Sequence, residues 1–471
     1  MSENKTKYLL KNVGILTIGN FSSKILVFLL VPIYTSVLST EEYGSYDLII
    51  STMTLLFPIL SLNIVDAVMR FLMDKNIDKR QVVSIGSRFI IYEIAIFGIG
   101  LFLVYLTGIW NDVYGLRYYV LIYYILYSIS QFLNQVARGI EKVKVIAVSG
   151  VISTIVTIVS NILFLLVLRW GLAGFFLASI LAQFISVVYL TMSTRIWKYV
   201  VFGSIDKEMQ TTMLIYSIPL IATVVGWWVN SASDKYVVAF LVGVSANGLL
   251  SVSYKIPQII NTLQGIFIQA WQISAIKEYG ENDTALFYGN TFKSVNLLMC
   301  IACSGLMLLT KPLAYILYAK DFYLAWQYVP FLLISSVFNS ASGMLGPILA
   351  AKKNSKAMMT SALIGAGANI VLNIGLIQLI GVQGATIATV ICSYIIYVVR
   401  KRAVGKDISI ENYNVVIVTW SMLCVQALIE IYLQNYIFEI VIMFLLLAIN
   451  VKDVKNVLTS VSVLLKRRND K

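Results

Sequence analysis

Ser251, Lys255, Gln258, Thr262, Gly265 and Gln269 recur at alternating steps of four and three through the otherwise apolar run 249–274, LLSVSYKIPQIINTLQGIFIQAWQIS. On a continuous helix that spacing gathers them on one stripe, with apolar side chains on the other faces. A run of this length is long enough to cross a bilayer. A lysine inside it costs about 2.5–3.5 kcal/mol on insertion scales, so it needs a partner or substrate that compensates its charge. The stripe therefore reads as the lining of a wet cavity that recognises an anion.

Two further lysines fit the same chemistry. Lys24 lies midway along the run 12–37, shares a helical face with Thr17 and Asn20, and has no acidic residue within a turn. In the run 212–241, Trp227, Asn230 and Asp234 share one face and Trp228, Ser231 and Lys235 the next. Lys24, Lys235 and Lys255 are the candidate binding cations, since ammonium groups in a low-dielectric cleft bind phosphate oxygens strongly. For Lys235 a structural ion pair with Asp234 competes with that role. Asn20, Asp47, Ser51, Asn230, Asp234, Ser251, Gln258 and Thr262 are the candidate polar lining. Trp227, Trp228, Tyr254 and Trp271 could stack on sugar rings, although aromatic residues serve more often as interface belts or packing. Among the buried acids, Glu93 is the first candidate for ion coupling and Asp66 the second. Arg70, four residues beyond Asp66, gives the latter a simpler account as half of a pair within a helix.

The elements that must position these residues follow from composition. The chain has 471 residues, 59% hydrophobic and 13% charged, with mean hydropathy +0.83. That is far below the roughly 25% charged fraction of a globular domain and marks a polytopic membrane protein. The formal charge of +13 sits mostly in short connectors, so it sets orientation and argues against nucleic-acid binding. Histidine is absent, and the four cysteines lie in apolar runs, where Cys300-x-x-Cys303 reads as small packing residues. No metal, cofactor or catalytic motif is expected, and the connectors are too short for a membrane-embedded polymerase or glycosyltransferase.

Apolar runs predict spans at 12–37, 46–70, 84–107, 117–137, 145–168, 171–193, 212–241, 249–274, 287–310, 322–345, 357–380, 383–400, 412–433 and 436–450. The first is too long for the h-region of a cleaved signal peptide and leads directly into more spans, so it is expected to stay as a helix. Lysines and arginines crowd alternate connectors, leaving Arg117, Arg169, Lys311 and Lys320 on the other side, which places both termini in the cytoplasm. VLSTEEYG at 37–44 and LVGVSANG at 241–248 occupy the same place in each set of six spans. Asn161 with WGLAGFFLAS matches Asn373 with IGVQGATIAT, pairing Gly171 and Gly174 with Gly381 and Gly384. Because six is even, the halves form a parallel repeat about an axis along the membrane normal. The expected fold is an all-α membrane protein of about fourteen transmembrane helices, with two pseudo-symmetric six-helix lobes around a central cavity plus two C-terminal helices. The expected organisation is a lobe at 1–194, a connector at 195–211, a lobe at 212–402, a helix pair at 403–451 and a basic tail at 452–471.

PIYTSVLSTEEYGSYDLI at 32–49, SDKYVVAFLVG at 233–243 with Gly248 and YKIP at 254–257, and the paired Asn-Gly-Gly patterns resemble the polysaccharide-transporter (Wzx-type) flippases of the multidrug/oligosaccharidyl-lipid/polysaccharide exporter superfamily. The resemblance covers about residues 8–402. It implies movement of undecaprenyl-diphosphate-linked oligosaccharides from the inner to the outer leaflet of a bacterial cytoplasmic membrane by alternating access, without catalysis. A polysaccharide polymerase and chain-length machinery are the candidate protein partners beside the lipid-linked substrate and the bilayer. Two alternatives share the fold. A cation-coupled multidrug antiporter would be expected to carry a carboxylate where Lys24 stands, and a flippase for the lipid-linked peptidoglycan precursor would need the same cations.

Overall fold

Ser39 and Glu42, inside the STEE of the first motif, show why the longest early helix begins where it does. The Ser39 hydroxyl accepts the Glu42 N–H at 3.1 Å while the Glu42 carboxylate accepts the Ser39 N–H at 2.8 Å. This reciprocal box satisfies two of the free N–H groups of the first turn. The helix it starts, α2 (Thr40–Leu60), follows the short α1 (Val31–Val37). The computed structural model describes residues 28–74, 77–108, 115–201, 205–281 and 283–455, and every longer element among them is helical.

Two units divide the chain, 1–232 and 233–471. In the first, α2 is followed by α3 (Ile64–Leu72), α4 (Lys79–Thr107), α5 (Arg117–Gly139), α6 (Val143–Asn161, extended by a π-helical stretch to Val167) and α7 (Gly171–Thr194). The long α8 (Lys207–Leu241) begins in this unit and ends in the second. The second continues with α9 (Val244–Ser253), α10 (Gln258–Lys277), α11 (Thr284–Leu308) and α12 (Thr310–Leu317). After a 3-10 stretch at Lys320–Tyr328 come α13 (Val329–Ala351), α14 (Ser355–Ile380), α15 (Val382–Val404), α16 (Tyr413–Leu428, with a π-helical end to Leu433) and α17 (Tyr436–Ile449).

Eleven of the described helical stretches are long and apolar enough to cross a membrane. Their large exposed apolar side chains, among them Ile91, Ile99, Phe102 and Leu106 along α4, form the surface that a hydrocarbon solvent requires. The protein is a multi-pass membrane protein, and most expected spans reappear within a few residues of their sequence bounds. Three of the about fourteen expected spans are not among these eleven, and each has its reason: the run 249–274 is broken, and the other two are the first and the last. The first span falls largely on residues 1–27, outside the described residues, and α17 is short.

Two spans expected to be continuous are broken. The run 46–70 stops at Ser61–Asn63, where Leu62 and Asn63 take φ of 53° and 51° and the Asn63 N–H bonds the Pro58 carbonyl at 2.8 Å. Such left-handed residues cannot extend a helix, although asparagine tolerates the conformation. The run 249–274 breaks at Tyr254–Pro257. Pro257 has no N–H, its ring opposes the carbonyl four residues back, and it pushes Ile256 away from helical geometry.

The sequence repeat has structural counterparts in each unit. Asn161 donates to the Thr157 carbonyl at 2.7 Å, and Asn373 donates to Asn369 Oδ1 at 2.8 Å, each four residues back on its own helix. Both are buried, and in both the amide oxygen has no hydrogen-bond partner among the described residues. Gly174 and Gly384 each sit against the preceding helix. A Cβ on Gly174 would lie 3.1 Å from the Phe164 carbonyl oxygen, and one on Gly384 would run into the Leu376 carbonyl. Lipid offers little drive to press helices together, so small residues that admit close packing set these contacts.

Candidate functional site

The break at YKIP determines where the lysine of the polar stripe stands. Pro257 stands between α9 and α10, so Ser251 lies on one helix, Lys255 in the turn that follows it, and Gln258, Thr262, Gly265 and Gln269 on the next helix. The polar stripe expected on one helix is therefore divided between two helices and the turn that joins them. Downstream, Gln258, Gly265 and Gln269 are exposed, while Thr262 is buried and donates to the Gln258 carbonyl at 2.7 Å. Upstream, Ser251 is buried and donates to Asn247 Oδ1 at 3.3 Å.

The kink also connects Lys255 to Lys235. The Tyr254 hydroxyl donates to Asp234 Oδ2, while Asp234 Oδ1 accepts the backbone N–H of Lys235 at 3.0 Å. Asp234 is 3% exposed, and a buried carboxylate needs such donors. That tyrosine contact brings the end of α8 within one side-chain length of the α9–α10 junction. Lys235 and Lys255, each next to a member of the pair and each half-buried, are thereby gathered in one neighbourhood of the second unit. Ser233 extends the network by donating to Asn369 Oδ1 on α14 at 2.7 Å. Asn369 and Ser233 escaped the sequence reading, because a serine and an asparagine in separate apolar runs carry no spacing signal across chain distance. Lys24 and Asn20 lie outside the described residues.

The aromatic candidates separate by environment. Trp227 is 55% exposed. Trp228 donates its indole N–H to the Ser51 carbonyl at 3.0 Å, tying α8 to α2 in the first unit. Tyr254 has its hydroxyl engaged by Asp234. Trp271 is 3% exposed, donates to the Met344 carbonyl at 2.9 Å and packs against Phe267, Phe287 and Tyr288, so its faces are taken by protein.

Of the acidic candidates, Glu93 is fully buried on α4 and accepts the Ser128 hydroxyl at 2.7 Å, with the Tyr124 hydroxyl also beside its carboxylate. Asp66 does not pair with Arg70 as expected. It accepts Asn63 Nδ2 at 2.9 Å and Gln135 Nε2 at 2.8 Å, while Arg70 reaches Asp74 at 2.7 Å. The left-handed turn at Asn63 points that side chain back at Asp66, a competition invisible in a run read as one helix. Asp47 and Asn230 are half-buried, and Asn230 donates to the Gly226 carbonyl at 3.4 Å. A cavity of about 310 Å³ among Ile49, Met53, Phe97 and Val120 is lined by apolar residues apart from Thr52 and holds no charged side chain in its lining.

Comparison with known proteins places this geometry. No curated protein sequence matches the chain significantly. Among solved structures, the lipid II flippase MurJ in an inward closed conformation superposes with TM-score 0.64 at 16% identity, covering 94% of this chain and 99% of that one. An inward-facing multidrug resistance MATE transporter superposes with TM-score 0.63 at 13% identity, covering 83% and 98%. A transporter of the same superfamily from Pyrococcus furiosus, described by the reversed polarity of its binding pocket, gives 0.55 at 14% identity over 84% and 96%. At such identities these similarities establish the fold. The family model for "Polysaccharide biosynthesis protein" matches residues 9–272, more than half of the chain. The chain therefore belongs to that polysaccharide biosynthesis family, as its sequence resemblance implied, and has the transporter fold of the exporter superfamily.

Proposed function

We propose that this protein is a flippase that moves an undecaprenyl-diphosphate-linked oligosaccharide from the inner to the outer leaflet of a bacterial cytoplasmic membrane, for surface polysaccharide assembly. The observation that carries the reading is the Asp234–Tyr254 contact, which joins the chain segments bearing Lys235 and Lys255, in a chain of this family. Lys235 and Lys255 each stand next in the chain to a member of that contact, and a diphosphate is the anion that two ammonium groups suit. Lys24 is proposed as the third cation. Trp227 is the aromatic candidate left with an open face for a sugar ring.

The multidrug-exporter alternative is disfavoured by charge, because a cationic drug gains nothing from lysines. The flippase reading also needs no catalysis and no bound cofactor. Moving about two negative charges outward across an inside-negative potential releases about 2.3 kcal/mol per charge per 100 mV, so the potential suffices as a driving force. The prenyl tail gains nothing by leaving lipid and stays there while the headgroup crosses. In this reading the basic connectors and both termini face the cytoplasm, residues 1–194 and 212–402 form the two membrane lobes, and a polysaccharide polymerase with its chain-length machinery receives the product.

Complementation of a strain blocked in surface-polysaccharide export tests the reading. Wild-type protein restores export, and Lys24→Ala and Lys255→Ala each reduce it at unchanged abundance. Normal export by both variants at wild-type abundance would remove the cationic-headgroup assignment.

A further inference from the structure

Arg400 lies four residues before the end of α15 and is only 5% exposed. Its Nε donates to the Ser361 hydroxyl of α14 at 3.1 Å, and Nη1 donates to the Ser342 carbonyl of α13 at 3.0 Å. The Ser361 hydroxyl in turn donates to the Met358 carbonyl at 2.8 Å, so it is fixed as an acceptor for the guanidinium. Two of five N–H groups are thereby satisfied by neutral atoms. The other three have no acceptor among the described residues, and no described carboxylate lies within salt-bridge distance.

This is unusual beside the other cations of the same unit. Lys352 pairs with Asp407 and Lys293 with Asp453, each at 2.8 Å, and both are more exposed than Arg400. Lys401 covers the Tyr413 ring at 2.9 Å. Arg400 is the most deeply buried of these cations, and no carboxylate among the described residues is paired with it. The nearby C-terminus of α15 supplies roughly half an elementary charge, which offsets part of the deficit and leaves the rest. A buried cation fixed by neutral acceptors keeps its charge and its directionality, which suits an anion from outside the chain. Gly346 stands beside it, where an added Cβ would lie 3.9 Å from Nη1.

We propose that Arg400, braced by Ser342 and Ser361, anchors an oxyanion subsite that takes a phosphate group at the end of α15 facing the basic connector. The planar guanidinium presents paired N–H groups that match phosphate oxygens. The phosphate comes either from the diphosphate of the transported lipid or from an anionic phospholipid headgroup. The subsite rests on the flippase reading for the first source and on the bilayer alone for the second.

The test is equilibrium binding to the detergent-purified full chain carrying Lys24→Ala and Lys255→Ala, which removes two of the other proposed phosphate contacts. Inorganic pyrophosphate and dihexanoyl-phosphatidylglycerol are the two probes. Adding Arg400→Gln weakens binding of at least one by about 10- to 100-fold, the range for charge-assisted hydrogen bonds. Loss confined to pyrophosphate assigns the substrate diphosphate, and loss confined to phosphatidylglycerol assigns the membrane lipid. Loss of both assigns phosphate in general. If neither affinity changes in folded protein, Arg400 only clamps three helices and the subsite is overturned. Should Arg400→Gln fail to fold, Arg400→Lys keeps the charge and loses the fork, and unchanged affinity for both probes in that variant overturns the subsite equally. Binding is read without export, so failure of the complementation test leaves this subsite standing, and the reverse.

Discussion

Trp271 and Trp227 look alike in the sequence, each an aromatic residue in a long apolar run, and their environments give them opposite sensitivities. Trp271→Ala removes a buried ring and a hydrogen bond to Met344 and should cost about 3 kcal/mol, read as a lowered denaturation midpoint in detergent. Trp227→Ala should stay within about 0.5 kcal/mol while lowering export. Equal stability losses would contradict the packing role assigned to Trp271. The lysines were legible because a charge in an apolar run is conspicuous. Their acidic and polar neighbours were only partly so. Asp234 was visible beside Lys235, but its bond to Tyr254, and the bond of Ser233 to Asn369, depend on packing between helices that no periodicity reports. Arg400 stands at the end of the expected span 383–400 beside Lys401 and Arg402, where the sequence shows its type and not its burial.

Helix identity was largely legible, because runs of apolar residues between charges have one stable form in a bilayer. Helix continuity was not. Pro257 and the pair Leu62–Asn63 act through backbone geometry, and an apolar count averages over both. Pro257→Ala should leave the purified protein at least as stable, by removing a kink, while impairing export because Lys255 turns with the restored helix. Normal export by that variant would separate the kink from function. The repeat was visible in Asn161, Asn373, Gly174 and Gly384, and it marks a shared packing constraint. Gly174→Val and Gly384→Val should each destabilise the protein by about 1–3 kcal/mol, since the added carbons meet backbone of the preceding helix. A tolerated valine at either position would contradict the close approach.

At the scale of the whole chain, the proposed orientation rests on the basic residues of alternate connectors. Arg117 sits over the rings of Tyr105 and Tyr118 at 4.6 and 4.8 Å, and Lys311 over Trp326 at 4.5 Å. Aromatic partners of this kind suit a membrane interface. In a cysteine-free background, a membrane-impermeant thiol reagent applied to intact cells should label Arg169→Cys and leave Glu141→Cys unlabelled. The opposite pattern would invert the orientation. The central claim concerns the direction and charge of the cargo, and reconstitution tests it most directly. Proteoliposomes receive a fluorescent prenyl-diphosphate-linked oligosaccharide, and leaflet exchange is followed with a quencher that cannot cross the bilayer. The account predicts exchange well above protein-free vesicles, reduced by Lys255→Ala. Exchange at the protein-free rate, with transport of a cationic dye instead, would contradict it.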